Sequence, residues 1–304
     1  MLNLIKKEQN TQRQINRIAA SSVLYSQAKS WLLVQFILAV PITILFSFLV
    51  IFIPNFDVWA AFYGICVSIL DAAIIDNFQK YLRQQAAKIQ ELFDCDIFHL
   101  EWNFIKVGNR PDAESITRLA KSFKDKNSKS IESWYPPIVE NVPLSIAIII
   151  CQRSNSWWDL SLRKTYLVWI ITIICSIIVT DFIIGISIIR TLDKFILASL
   201  APLSPAILWA VREYRQQNEA IEQLERLKEF ILTLFEQAIN QTISSDKLER
   251  EIREVQDGIY ENRCNNPMIF NWIYKLLRNS QEEAMNKGAE ELVQEALQAL
   301  NSTK

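Results

Sequence analysis

The chain has 304 residues, half of them hydrophobic, and a formal net charge of −1. That balance offers no basic face for duplex nucleic acid, and five scattered glycines build neither a Walker loop nor a dinucleotide-binding loop. Five cysteines without a CxxC pair and one histidine, His99, argue against a disulfide framework or a zinc site, so no metal or cofactor is expected.

Residues 1–30 read as a cytoplasmic helix carrying Lys6, Lys7, Arg13, Arg17 and Lys29. It runs into a first apolar block, 31–53 ("WLLVQFILAVPITILFSFLVIFI"), with a second, 58–75 ("VWAAFYGICVSILDAAII"), after a short turn. A bilayer core of about 30 Å takes about 20 helical residues, so this pair reads as a membrane hairpin over 31–75. Residues 76–93 continue as a helix with Leu82, Ile89 and Leu92 on one face.

The middle segment, 76–165, is less regular. Weak alternation in "FDCDIFHLEW" (93–102) reads as an irregular or strand segment, with Asp94 and Asp96 on one face and His99 and Glu101 on the other, which defeats a metal site. Three prolines keep "WYPPIVENVP" out of a helix. The apolar run 144–151 is too short to span, so it belongs in a cytoplasmic core or at the interface.

A third block, 166–189, and a shorter fourth, 195–211, with Pro202 and Pro205, form a second hairpin over 166–211. The third carries Asp181, whose insertion cost of roughly 3 kcal/mol is smaller than the roughly 7 kcal/mol its aliphatic neighbours contribute. Residues 212–304 read as cytoplasmic helices. Ile221, Leu224, Leu227, Ile231 and Leu234 form a seam, and shorter helices follow near 246–262, 267–278 and 281–300, Pro267 opening the second of these. Lys and Arg gather at the inner block ends, which places both termini and the middle segment in the cytoplasm. The fold class expected is an all-α membrane protein with four transmembrane helices in two hairpins and a mainly helical cytoplasmic part.

Three sets of residues invite a function. Ala61, Gly64, Ser68 and Asp71 share a helical face. It reads either as a packing seam whose carboxylate reaches the cytoplasmic interface or as a polar intramembrane surface. Asp181 lies beside a stripe including Ser176 and Thr180. It reads either as facing water in a pore, where rings of carboxylates favour cations, or as a protonated acid bonded to a neighbouring helix. In "CQRSNSWWDLSLRKTY" (151–166), Arg153, Asn155, Trp157, Trp158, Asp159 and Arg163 combine cations with aromatic faces. The simpler reading is an interfacial anchor; the other is a site that holds a phosphate-bearing base by ionic contact and stacking.

The stretches "AASSVLYSQAKSW", "FDCDIFHLEWN", "SWYP" and "CQRSNSWWDLSLRKTY", together with the two-hairpin layout, resemble the SMODS-associating four-transmembrane effectors of bacterial nucleotide-signalling anti-phage systems. The resemblance covers roughly residues 10–240. It implies a CBASS effector of the inner membrane, not an enzyme, that responds to a cyclic oligonucleotide and permeabilises the bilayer in abortive infection. Arg153, Asn155, Trp157, Trp158, Asp159 and Arg163 are then the candidate sensing residues, and Asp71, Ser68, Asp181, Thr180 and Ser176 the intramembrane ones. Four helices enclose little space, so a pore needs a homo-oligomer. Two other classes fit the residues alone: a constitutive small-ion channel or transporter, and a membrane-anchored scaffold recruiting a partner through its C-terminal helices.

Overall fold

The computed structural model describes residues 2–53, 55–123, 131–188 and 201–302, the side chains at 51, 181, 185, 188 and 201 excepted. Among the described residues every regular element is helical. In chain order these are α1 (Ile5–Glu8), α2 (Gln12–Ala39), α3 (Pro41–Phe52), α4 (Phe56–Leu70), α5 (Asp76–Phe98), α6 (Phe104–Val107), α7 (Ala113–Lys121), α8 (Leu144–Ile188), α9 (Ala201–Ile239), α10 (Ser245–Asn265) and α11 (Asn271–Ser302).

The long rods follow from apolar blocks joined in register to amphipathic helices. A π turn, Asp71–Ile75, links α4 to α5 without a break. Pro41 interrupts the α2–α3 rod because it lacks an N–H. The carbonyls around the break find other donors: Tyr63 Oη donates to Leu38 O at 2.8 Å, and Thr43 Oγ1 to Ala39 O at 2.7 Å and Val40 O at 2.9 Å. Helix α8 has 45 residues, about 65 Å at 1.5 Å per residue. It therefore carries run 144–151, the polar motif and the third apolar block on one axis.

Among the described residues, three helical stretches are long and apolar enough to cross a membrane: Gln12–Val50, Phe56–Phe98 and Leu144–Ile184. Their apolar ends present Leu33, Ile37, Leu45, Trp59, Phe62, Ile65, Val179 and Ile183 outward. Of the fourth block, only 201–211 lies within the described residues; the turn at 190–194 lies outside them.

Helix α2 packs on α5, and α8 on α9. The larger core lies where α5, α8, α9, α10 and α11 meet, with Ile146–Cys151, Phe93, Ile97, Ile231, Leu234, Val255 and Val293 buried. The run 144–151 and the α9 seam thus occupy the core that their apolarity demands. A second cluster sits beside the apolar blocks: Leu32, Val40, Tyr166, Ile170, Ala206, Trp209, Ile269 and Phe270.

Three expectations are corrected. The segment 93–102 is no strand: its first residues are the last turns of α5, which ends at His99 in the left-handed region (φ 55°), with Leu100 N donating to Cys95 O at 2.9 Å. The helices expected at 267–278 and 281–300 are one, α11, and Pro267 lies in the connector before it. On α4, Gly64 and Asp71 join Ala60, Val67 and Ile75 on the buried stripe, while Ala61 and Ser68 stand beside it, exposed. The approach is close at Gly64, where an added Cβ would lie 3.3 Å from Pro205 Cγ of α9.

Candidate functional site: a cationic, aromatic cavity beneath the apolar blocks

A cavity of about 830 Å³ opens between α2, α5, α8, α10 and α11. Ligand pockets run from about 300 to 1,000 Å³. Helical spacing explains its walls. On α8, Asn155, Trp158, Asp159 and Leu162 follow at steps of three, one and three, so they share one face with Arg163 at its edge. On α2, Ser22, Tyr25, Ser26 and Lys29 do the same from the opposite side. Helix α5 adds Gln90, and the chain before a 3-10 turn at Pro137–Asn141 adds Trp134. The end of α10 brings Asn262 and Arg263, and the start of α11 brings Asn271, Tyr274, Lys275 and Arg278.

Among the described residues, five cationic side chains line the cavity, Lys29, Arg163, Arg263, Lys275 and Arg278, against one carboxylate, Asp159. Two of the arginines are fixed in place. Arg163 is buried; its Nε pairs with Asp159 Oδ1 at 3.0 Å, and Nη1 donates to Gln217 Oε1 at 2.7 Å and Pro267 O at 2.9 Å. Arg263 pairs with the buried Asp94 at 2.5 Å, and Asp94 also accepts from Tyr135 Oη at 2.8 Å and Gln256 Nε2 at 2.9 Å. Burial pulls the Arg263 guanidinium down, but Asp94 and the phenols of Tyr135 and Tyr25 outweigh it and hold the group above its ordinary value. It stays charged.

The aromatic walls are equally defined. Lys29 Nζ sits 4.4 Å above the Tyr274 ring, a cation–π contact. Trp158 lies against Tyr274 with centroids 6.5 Å apart, and Tyr25 Oη donates to Gln90 Oε1 at 3.0 Å. Burial pushes the Tyr274 phenol up, which keeps it a neutral donor. Asn155 Nδ2 is buried and has no acceptor among the described residues. A cavity with excess positive charge, flat aromatic faces and side-chain amides (Gln90, Asn155, Asn262, Asn266, Asn271) suits an anion that carries planar, hydrogen-bonding rings.

Of the sensing residues expected from the sequence, Asn155, Trp158, Asp159 and Arg163 meet in this cavity. Arg153 and Trp157 do not line it; Arg153 Nη1 instead lies 2.9 Å from where a Cβ on Gly288 of α11 would stand. Tyr25, Lys29, Trp134, Arg263 and Tyr274 were not singled out, because no local pattern joins five separated stretches.

The cavity touches the apolar blocks twice. The connector between α10 and α11 gives Asn266, Met268 and Ile269 to the cavity wall. Its next residue, Phe270, wedges between Phe36 (5.2 Å), Tyr166 (6.1 Å) and Trp209 (6.5 Å). A polar path also leaves Arg163: Gln217 Nε2 donates to Glu213 Oε1 at 2.9 Å, and Tyr166 Oη donates to the same oxygen at 2.8 Å. Burial pushes the Glu213 carboxyl up.

Beside Glu213, Arg212 pairs with Asp71 Oδ2 at 2.5 Å, and Gln35 Nε2 donates to Asp71 Oδ1 at 2.5 Å while accepting from Gln79 at 2.9 Å. Asp71 is therefore buried and paired within the chain. Ser68 Oγ, Ser176 Oγ and Thr180 Oγ1 donate to Gly64 O (2.8 Å), Thr172 O and Ser176 O (both 2.7 Å), each on its own helix. The Asp181 side chain lies outside those described.

The model of the SMODS-associating 4TM effector domain matches residues 3–292. A probable CBASS effector molecule from Bacillus cereus (strain VD146) is 24% identical over 286 residues, covering 92% of this chain and 95% of the relative. No solved structure matches.

Proposed function

Because this chain belongs to the SMODS-associating 4TM effector family, we propose that it is a CBASS effector that binds a cyclic oligonucleotide in the cavity and permeabilises the bacterial inner membrane. It acts by binding, not by catalysis. The chain crosses the bilayer four times in two hairpins with both termini in the cytoplasm, and several copies together line the path. The observation that carries this reading is the cavity itself: among the described residues, five cations, five aromatic rings and a set of amides meet in a space that shares Phe270's connector with the apolar blocks.

Phosphates meet Lys29 and the pre-ordered Arg163, and bases stack on Trp158 and Tyr274. Binding acts on the membrane part only through differential affinity for two arrangements. The connector supplies one, since a ligand that displaces Met268 and Ile269 shifts Phe270 from between Phe36, Tyr166 and Trp209.

The test is titration of the purified chain in dye-loaded vesicles with a panel of cyclic oligonucleotides. The expected result is leakage with one ligand class and none without ligand. Leakage that ignores nucleotide would replace this reading with a constitutive channel. No leakage at any protein density, with or without ligand, would favour a scaffold.

A further inference from the structure

The first turns of α11 stand beside the apolar blocks. Ile269, Phe270 and Ile273 are 4%, 3% and 1% exposed, and they share a cluster with Leu32, Val40, Ile170, Ala206 and Trp209. This contact fixes the height of the segment along the bundle, at the cytoplasmic ends of the blocks. On its outer flank, Trp272 is 51% and Leu276 is 69% exposed, one helical turn apart. Trp169, one turn from Tyr166 and next to Ile170, is 52% exposed at the same level on α8.

Charge changes along the same helix. Between Cys264 and Gln281 there are Lys275 and Arg278 and no acidic residue; beyond lie Glu282, Glu283, Glu290, Glu291 and Glu295. A helix that shows Trp and Leu beside Lys near an apolar belt, then turns acidic farther along, has the make-up of a segment lying in the membrane interface.

We infer that the first turns of α11 lie in the headgroup layer of the inner leaflet, with Trp272 and Leu276 at the acyl boundary and Lys275 among lipid phosphates. The inference rests on the membrane-spanning part of the proposed function and not on the nucleotide. It gives the cavity a lipid-contacting wall: Asn271, Tyr274 and Lys275 line the cavity from the helix whose other flank meets the bilayer. Basic residues near an anionic surface are drawn to it, so the contact favours anionic lipid.

The test places the photo-crosslinker p-benzoylphenylalanine at Trp272 or Leu276 in the full chain, reconstituted in vesicles of phosphatidylethanolamine and phosphatidylglycerol. Ile183, exposed in the third block, is the membrane control, and Leu297, exposed near the end of α11, is the aqueous one. Irradiation is expected to give lipid adducts at 272 and 276 as at 183, and none at 297, by intact-mass analysis. Lys275→Glu is expected to lower the yield at 276 in vesicles with phosphatidylglycerol and not in purely zwitterionic ones. Adducts at 183 with none at 272 and 276, or crosslinks from 272 and 276 to a second polypeptide, would overturn the inference. Absence of adducts at 183 as well would instead overturn the spanning assignment.

Discussion

Trp158 and Arg163 lie on one helix and face one cavity, but their backgrounds differ. Arg163 is held in place by Asp159, Gln217 and Pro267, so its replacement would loosen α8, α9 and the connector together. Trp158 is half-buried and makes a tilted contact with Tyr274, so it is the cleaner probe of ligand stacking. Trp158→Ala is expected to weaken cyclic-oligonucleotide binding by about 1–3 kcal/mol, roughly five- to hundredfold, by calorimetry. Trp158→Phe should keep most of the affinity. The Asp71–Arg212 ion pair allows a second measurement. Asp71→Ala strands Arg212 and Gln35; the loss should be about 2 kcal/mol, below the roughly 3–5 of a fully buried pair because Arg212 keeps a third of its surface. Adding Arg212→Met should recover much of it, read as thermal unfolding in detergent. The sequence made Asp71 conspicuous, but not its partner: Arg212 stands in another helix, and only packing brings the two within bonding distance.

At the scale of elements, the connector 266–270 and the 45-residue α8 matter most. Truncating Phe270 opens a void among Phe36, Tyr166 and Trp209 and should cost about 3–5 kcal/mol. If the wedge holds the closed arrangement, Phe270→Ala vesicles leak without nucleotide while binding is retained, because the cavity wall is made by Met268 and Ile269. Phe270→Leu should restore closure; a tight, nucleotide-responsive Phe270→Ala protein would remove the wedge from the mechanism. Long helices were legible from their period and from the absence of breakers. The end of α5 was not. Phe93 and Ile97 fit a helical face as well as an alternating one, and the helix continues because they and Phe98 are buried in the core with Tyr135 and Val139. Likewise α11 runs unbroken where two helices were expected, since no residue between Leu277 and Gln281 stops a helix.

For the whole molecule, the proposed topology places residues 190–194 outside the cell and both ends within. Alkaline phosphatase inserted at 192 should be active and the same enzyme fused after 304 inactive; the reverse pattern would invert the layout. Crosslinking in membranes should also capture multimers whose abundance rises with the ligand that causes leakage.

Hydrophobic length and helical period are properties of contiguous residues, so the sequence alone determined that the chain is helical, that it carries membrane-length apolar blocks and that its α8 motif pairs cations with aromatics. The cavity, the Phe270 wedge and the Asp71–Arg212 pair are made by side chains from separate helices. Their meeting depends on how rods cross and pack, a long-range matter that no local pattern records, and tertiary structure alone decided it.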